Sequence, residues 1–160
     1  MPYESAPLAI RLNELVVSLD AYMWLMWFDE LTPAEQAFIA IWELQQEVYN
    51  GGFMQYFQNS SGERVPHICE ILRRIDAGPA ASVIERAISL AGPDIPWNDK
   101  VRRFSALKTI SEDNRDKLFH MSKDLFDQSD DLHRLLFQYL SKHREQIEAP
   151  ADFWTEGAIQ

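Results

Sequence analysis

Three pairs of side chains in this sequence carry metal- or proton-binding atoms at a spacing that one helix face can present together: Glu43 with Glu47, His120 with Asp124, and Asp130 with His133. Residues three or four apart on a helix are neighbours, so such pairs can share a proton or ligate an ion. A di-iron site in a helix bundle needs two Glu-x-x-His pairs, and the sequence has none. It also lacks H-E-x-x-H, a phosphate-cradling glycine loop and G-x-S-x-G, while Gly51-Gly52 reads as a helix stop rather than a dinucleotide fingerprint. The three pairs therefore read as surface pairs or caps. Neither a catalytic residue nor a cofactor nor a metal is expected, and Glu43, Glu47, His120 and His133 are the ligands to test first should a metal appear. The single cysteine, Cys69, lies on a core-facing stripe with no basic neighbour before Arg73, which reads as an inert buried thiol. One cysteine cannot form an internal disulfide, so a reducing, cytoplasmic setting is expected.

The elements that position these residues read as helices throughout. Leu8, Leu12, Leu15, Val16, Leu19, Met23 and Met26 share one face of a helix expected over about 8–27, which Trp24, Trp27 and Phe28 broaden into an end that is either core or pressed against another copy, as in a homodimer. The next helix starts at Pro33, with Thr32 as N-cap and Glu35 reaching back to it. Its core sector holds Ala37, Phe38, Ile41, Trp42, Leu44, Val48 and Tyr49, and Glu35, Gln36, Glu43, Gln46 and Glu47 fall on an opposite face expected to be wet and acidic. Asn50-Gly51-Gly52 tolerates positive φ and turns the chain into a short aromatic segment closed by Ser60-Ser61-Gly62. Further helices are expected over 63–76, from Pro79 to about Leu90, from an Asn98 cap to Leu107, from a Ser111 cap, and from Ser129-Asp130-Asp131 to Ile147. No β-branched alternation and no repeat appears, so the expected class is all-α: one domain of six to eight helices, core about 8–147, with loose ends at 1–7 and 149–160.

Charge narrows the function. The net charge is −10, and residues 1–50 hold one basic residue, Arg11, against eight acidic ones. Such a field repels nucleic-acid phosphates and attracts basic proteins, so direct nucleic-acid binding is not expected and a basic partner is. The longest apolar run, 21–28, is too short for the roughly 20 residues of a bilayer span. No signal peptide or membrane anchor is expected. Two acidic faces compete for a partner. One comprises Glu14, Asp29, Glu30, Glu35, Glu43 and Glu47, almost free of basic residues; the other comprises Glu112, Asp113, Asp116, Asp124, Asp127, Asp130 and Asp131, diluted by Arg115, Lys117 and Lys123. Field strength favours the first slightly.

The stretch Asn50-Gly51-Gly52-Phe53-Met54-Gln55-Tyr56-Phe57-Gln58-Asn59-Ser60-Ser61-Gly62 resembles the signature of the DMP-type DNA mimic protein family of bacteria, and a weaker similarity in helix order runs from about Leu31 to Ile147. The motif positions Asn50, Gly51, Gly52, Phe53, Gln55, Tyr56, Phe57, Asn59 and Gly62 read as structural: glycines for a turn, aromatics for core, amides for backbone bonds. The resemblance implies an all-helical protein whose carboxylates imitate duplex phosphates and occupy the DNA-binding surface of a transcription factor or nucleoid protein. A second reading makes the same acidic surface an immunity or antitoxin protein neutralising a basic nuclease-like toxin.

Overall fold

Apolar residues at helical spacing, without alternating strand-like runs, produce helices alone in the computed structural model, which describes residues 7–18 and 27–154. Among these are seven α-helices: α1 (Pro7–Ser18), α2 (Pro33–Gln58), α3 (Val65–Arg74), α4 (Gly78–Ala91), α5 (Lys100–Leu107), α6 (Glu112–Phe126) and α7 (Ser129–Lys142). Short 3-10 turns occupy Phe28–Glu30, Ser60–Arg64, Arg144–Gln146 and Ala151–Trp154, and no strand occurs among the described residues. The all-α class follows. Leu19, Met23, Trp24 and Met26, assigned from the sequence to the first helix, lie outside the described residues.

The chain divides into two units, Met1–Phe38 with Ser129–Gln160, and Ile39–Gln128. In the first, α1 packs on α7 and buries Leu12 and Leu15. The Thr32 hydroxyl donates to the Gln146 carbonyl at 2.8 Å, and the Ala34 N–H donates to Gln146 Oε1 at 3.1 Å, tying the start of α2 to the segment after α7. Three expectations change here. The helix starting at Ser129 stops at Lys142 rather than Ile147, and the chain continues as a 3-10 turn. Phe153, expected within a loose end over 149–160, is buried, with its ring centroid 5.4 Å from that of Phe137. Trp27 is not core: it is 79 % exposed, on extended backbone just before the first 3-10 turn.

In the second unit, α3 packs on α4, and α4 on α6. Helix α3 buries Val65, Ile68, Ile71 and Leu72; α4 turns small residues, Ala80, Ala81 and Ala87, inward beside Val83 and Ile84. The stop after α3 is not made by Gly78. Asp76 takes the left-handed conformation, φ 67°, the Ala77 N–H donates to the Leu72 carbonyl at 2.8 Å, and Gly78 instead opens α4. The cap of α5 is Asp99 rather than Asn98: Asp99 Oδ1 accepts from the Arg102 N–H at 3.0 Å. Ser111 caps α6 as expected, accepting from the Asn114 N–H at 3.1 Å.

Helix α2 departs most from its sequence pattern. Ala34, Ile39 and Ala40 are buried along with the expected sector, and so is Glu35, which leaves the first half of the helix covered nearly all round. Its second half is separated by a kink. Gly51 has φ −152° and Gly52 has φ 77°, ψ −175°, a region open essentially to glycine alone. The helix resumes at once, and Phe53, Tyr56 and Phe57 are fully buried.

Candidate functional site

The signature motif builds a joint. Past the Gly51–Gly52 kink, the Gln55 amide donates to Glu47 Oε2 at 3.0 Å and the Asn59 amide donates to the same oxygen at 2.7 Å, so both motif amides satisfy one carboxylate across the bend. The Ser61 hydroxyl donates to the Tyr56 carbonyl at 2.8 Å. Gly62 is glycine because a Cβ there would collide with the Phe57 carbonyl and lie 2.8 Å from Arg103 Nε. Asn50 is exposed, at the residue just before the kink.

Arg103 is the side chain that sequence reasoning missed. It is 0 % exposed, its guanidinium donates to the Trp97 carbonyl and, at 3.0 Å, to the Asn59 carbonyl just past the end of α2. A cation at a helix C-terminus complements the aligned carbonyl dipoles. The sequence carried one signal for it: Arg103 falls at i−4 from Leu107 on the short helix, among apolar positions.

The structure treats the two acidic faces differently. Of the first, Glu14, Asp29 and Glu30 are exposed, but Glu35, Glu43 and Glu47 are not the wet carboxylates expected. Glu35 is 5 % exposed and closes the capping box: its Oε1 accepts from the Thr32 N–H at 2.9 Å while Thr32 Oγ1 accepts from the Glu35 N–H at 3.2 Å. Glu43 stands 3.3 Å from Arg64 with both side chains largely buried. Burial pushes its carboxyl up to about 7, against the pull of Arg64 and with a push from Glu47 and Glu63. Glu47 is held by the two motif amides. All three carboxylates have partners within the chain.

The second face is exposed at every one of its seven positions. Glu112, Asp113, Asp116 and Asp124 lie on α6 and Asp127 just after it, while Asp130 and Asp131 lie in the first turn of α7, which belongs to the other unit. Lys117 pairs with Asp113 at 2.9 Å, Arg86 with Asp124 at 3.8 Å and Arg134 with Asp131 at 3.3 Å. Arg115 neutralises none of them: it donates to the carbonyls of Leu107, Lys108 and Ile110 at the end of α5. Among the described residues Glu112, Asp116, Asp127 and Asp130 have no cation within ion-pair distance. Three of the seven carboxylates are paired, as many as the cations counted along the sequence, but two of the three partners, Arg86 and Arg134, are not the ones the sequence pointed to.

No group of three or more His, Cys, Asp or Glu among the described residues stands close enough to hold a metal ion. His133 is buried on α7, and burial holds its imidazole below the ordinary range despite Asp130. Asp124, the expected neighbour of His120, turns to Arg86. The Cys69 thiol is half-buried rather than fully buried, contacts the Ala81 carbonyl at 3.9 Å and is pushed up to about 11, chiefly by burial, which leaves little thiolate at neutral pH. No helix among the described residues is long and apolar enough to cross a membrane. Residues 29–143 match the model of the DMP19-like protein family. No curated protein and no solved structure matches the chain.

Proposed function

The chain belongs to the DMP19-like protein family, and from that premise we propose that it is a non-enzymatic protein-binding module, a DNA mimic that occupies the basic DNA-binding surface of a transcription factor or nucleoid protein. The observation that carries the reading is the row of unneutralised carboxylates Glu112 and Asp116 on α6 and Asp127 just after it, with Asp130 following in sequence. Positions one helical turn apart are separated by about 5.4 Å, so Glu112 and Asp116 present repeated negative charge along a rod, as a phosphate backbone does. The first face contributes less, because its three carboxylates on α2 already have internal partners.

The test is capture of basic proteins from the source lysate by wild type, by Asp116→Lys with Asp127→Lys, and by Glu14→Lys with Asp29→Lys. The reading expects the α6 pair to abolish capture while the other pair retains it. Retention by the α6 variant, with its fold intact by circular dichroism, refutes the assignment.

A further inference from the structure

Beside the acidic row lies an apolar groove of about 440 Å³, lined by Tyr49, the Asn50–Gly52 kink and the outer face of α6 through Phe119, Lys123 and Phe126. Phe119 is 69 % exposed and Phe126 36 %, an uncommon exposure for phenyl rings on one helix. Phe126 rests against Tyr49 with ring centroids 5.0 Å apart. Glycine at 52 lets α6 approach the kink: a Cβ there would stand 3.2 Å from the Ser122 hydroxyl and 3.9 Å from the Phe119 ring. Along α6 the stripe runs Glu112, Asp116, Phe119, Lys123, Phe126 in steps of four, three, four and three, which keeps it on one face. Unneutralised carboxylates therefore stand before the two phenyl rings, and Asp127 stands after them.

We propose that this groove is the anchoring site of the module: it takes an apolar side chain from a basic helix of the partner protein, whose flanking Lys or Arg residues meet Asp116 and Asp127. The inference rests on the reading of the acidic face as the partner surface and adds the apolar centre that such an interface needs, since desolvated aromatic anchors carry more binding energy than exposed charge pairs. Charge complementarity selects the occupant. Asp116 and Asp127 are eleven residues apart, about 16 Å along the helix axis, which matches about three turns of a partner helix with its anchor midway. Lys123 is the one cation on the stripe and stands between the rings, so the partner's own cations are directed to the two ends.

A second copy is the competing occupant, because the exposed side of α5 (Lys100, Val101, Arg102, Phe104) has a similar basic and apolar character. The probe is a fluorescein-labelled amphipathic peptide of about 16 residues, with leucines at its centre and lysines in its first and last turns. Fluorescence anisotropy is measured for wild type, for Phe119→Ser with Phe126→Ser, and for Asp116→Lys with Asp127→Lys, folding being checked by thermal melting. The expected result is that each pair of substitutions weakens binding at least about tenfold, and that peptides with Glu for Lys or Ala for Leu lose binding. Full binding by the phenylalanine variant, with loss only in the aspartate variant, overturns the groove and leaves the acidic-face reading standing. Full binding by both overturns both. A wild-type dimer in sedimentation that the phenylalanine variant converts to monomer assigns the groove to a second copy and also overturns the proposal.

Discussion

Replacing Arg103 with methionine should destabilise the protein by about 3 kcal/mol, from two opposing effects. The guanidinium donates two charge-assisted bonds, to the carbonyls of Trp97 and Asn59, each worth about 1.5–3 kcal/mol. Against this, a fully buried cation with no carboxylate in ion-pair contact among the described residues carries a desolvation cost of several kcal/mol, which methionine removes. The balance turns on what is left behind. The Asn59 carbonyl keeps the Gly62 N–H at 2.9 Å, whereas the Trp97 carbonyl has no second donor among the described residues and is orphaned at about 1–3 kcal/mol. Methionine also cannot fill the space of the guanidinium between Gly62 and the end of α2. At about 2–4 °C per kcal/mol for a chain of this size, the melting temperature should fall by about 6–12 °C. Thermal unfolding followed by circular dichroism measures it, with Arg103→Lys, which keeps the charge and loses the fork, falling between. A melting temperature unchanged or raised in the methionine variant would refute the reasoning, because it would show the desolvation cost matching or exceeding both bonds.

Gly52→Ala should cost about 1–3 kcal/mol, since φ 77°, ψ −175° is strained for any side chain, whereas Gly51→Ala, at φ −152°, should cost less and act by displacing Gln55 from Glu47; equal losses in urea unfolding would contradict the separation. Asp76→Gly should stabilise by about 0.5–1 kcal/mol by relieving the left-handed cap, and a lower urea midpoint would count against it. Glu43→Gln should change the pH dependence of stability. A carboxyl raised from 4.5 to about 7 in the fold contributes its stability below pH 4.5 and loses it as pH rises through about 7, so the variant should gain on wild type by up to about 3 kcal/mol across that window. A difference that stays flat from about pH 4.5 to about pH 8 would show that Arg64 keeps the carboxylate at its ordinary value. Binding of the basic peptide should weaken steeply with salt, and anisotropy titrations from about 0.05 to 0.5 M salt that show no change would remove electrostatics from the account.

The helical class, the Thr32–Glu35 capping box, the Ser111 cap and the turn at Gly51–Gly52 were legible because each depends on residues within one or two turns of each other. What was not legible depends on distant packing. A helical wheel places Glu35, Glu43 and Glu47 opposite the apolar sector of α2, but it cannot see that Ile39 and Ala40 bury that side too, or that Arg64, Gln55 and Asn59 supply internal partners. Arg115 looked like dilution of the second acidic face until its donors were found on the carbonyls closing α5. Arg103 reads as a surface residue of a short polar helix, and only the fold brings it under the end of α2, 44 positions away in sequence from Asn59. The motif aromatics were read correctly as core because three rings at helical spacing after a sharp turn have little else to do.

The measurement that bears most directly on the mimic reading is competition between this protein and duplex DNA for the partner captured from the lysate. With labelled partner held constant, the apparent Kd for this protein should rise in proportion to added duplex, no ternary complex should form in sedimentation, and Asp116→Lys with Asp127→Lys should fail to displace DNA. A ternary complex of partner, DNA and this protein, or an apparent Kd indifferent to duplex, would contradict the claim that its carboxylates stand in for phosphates.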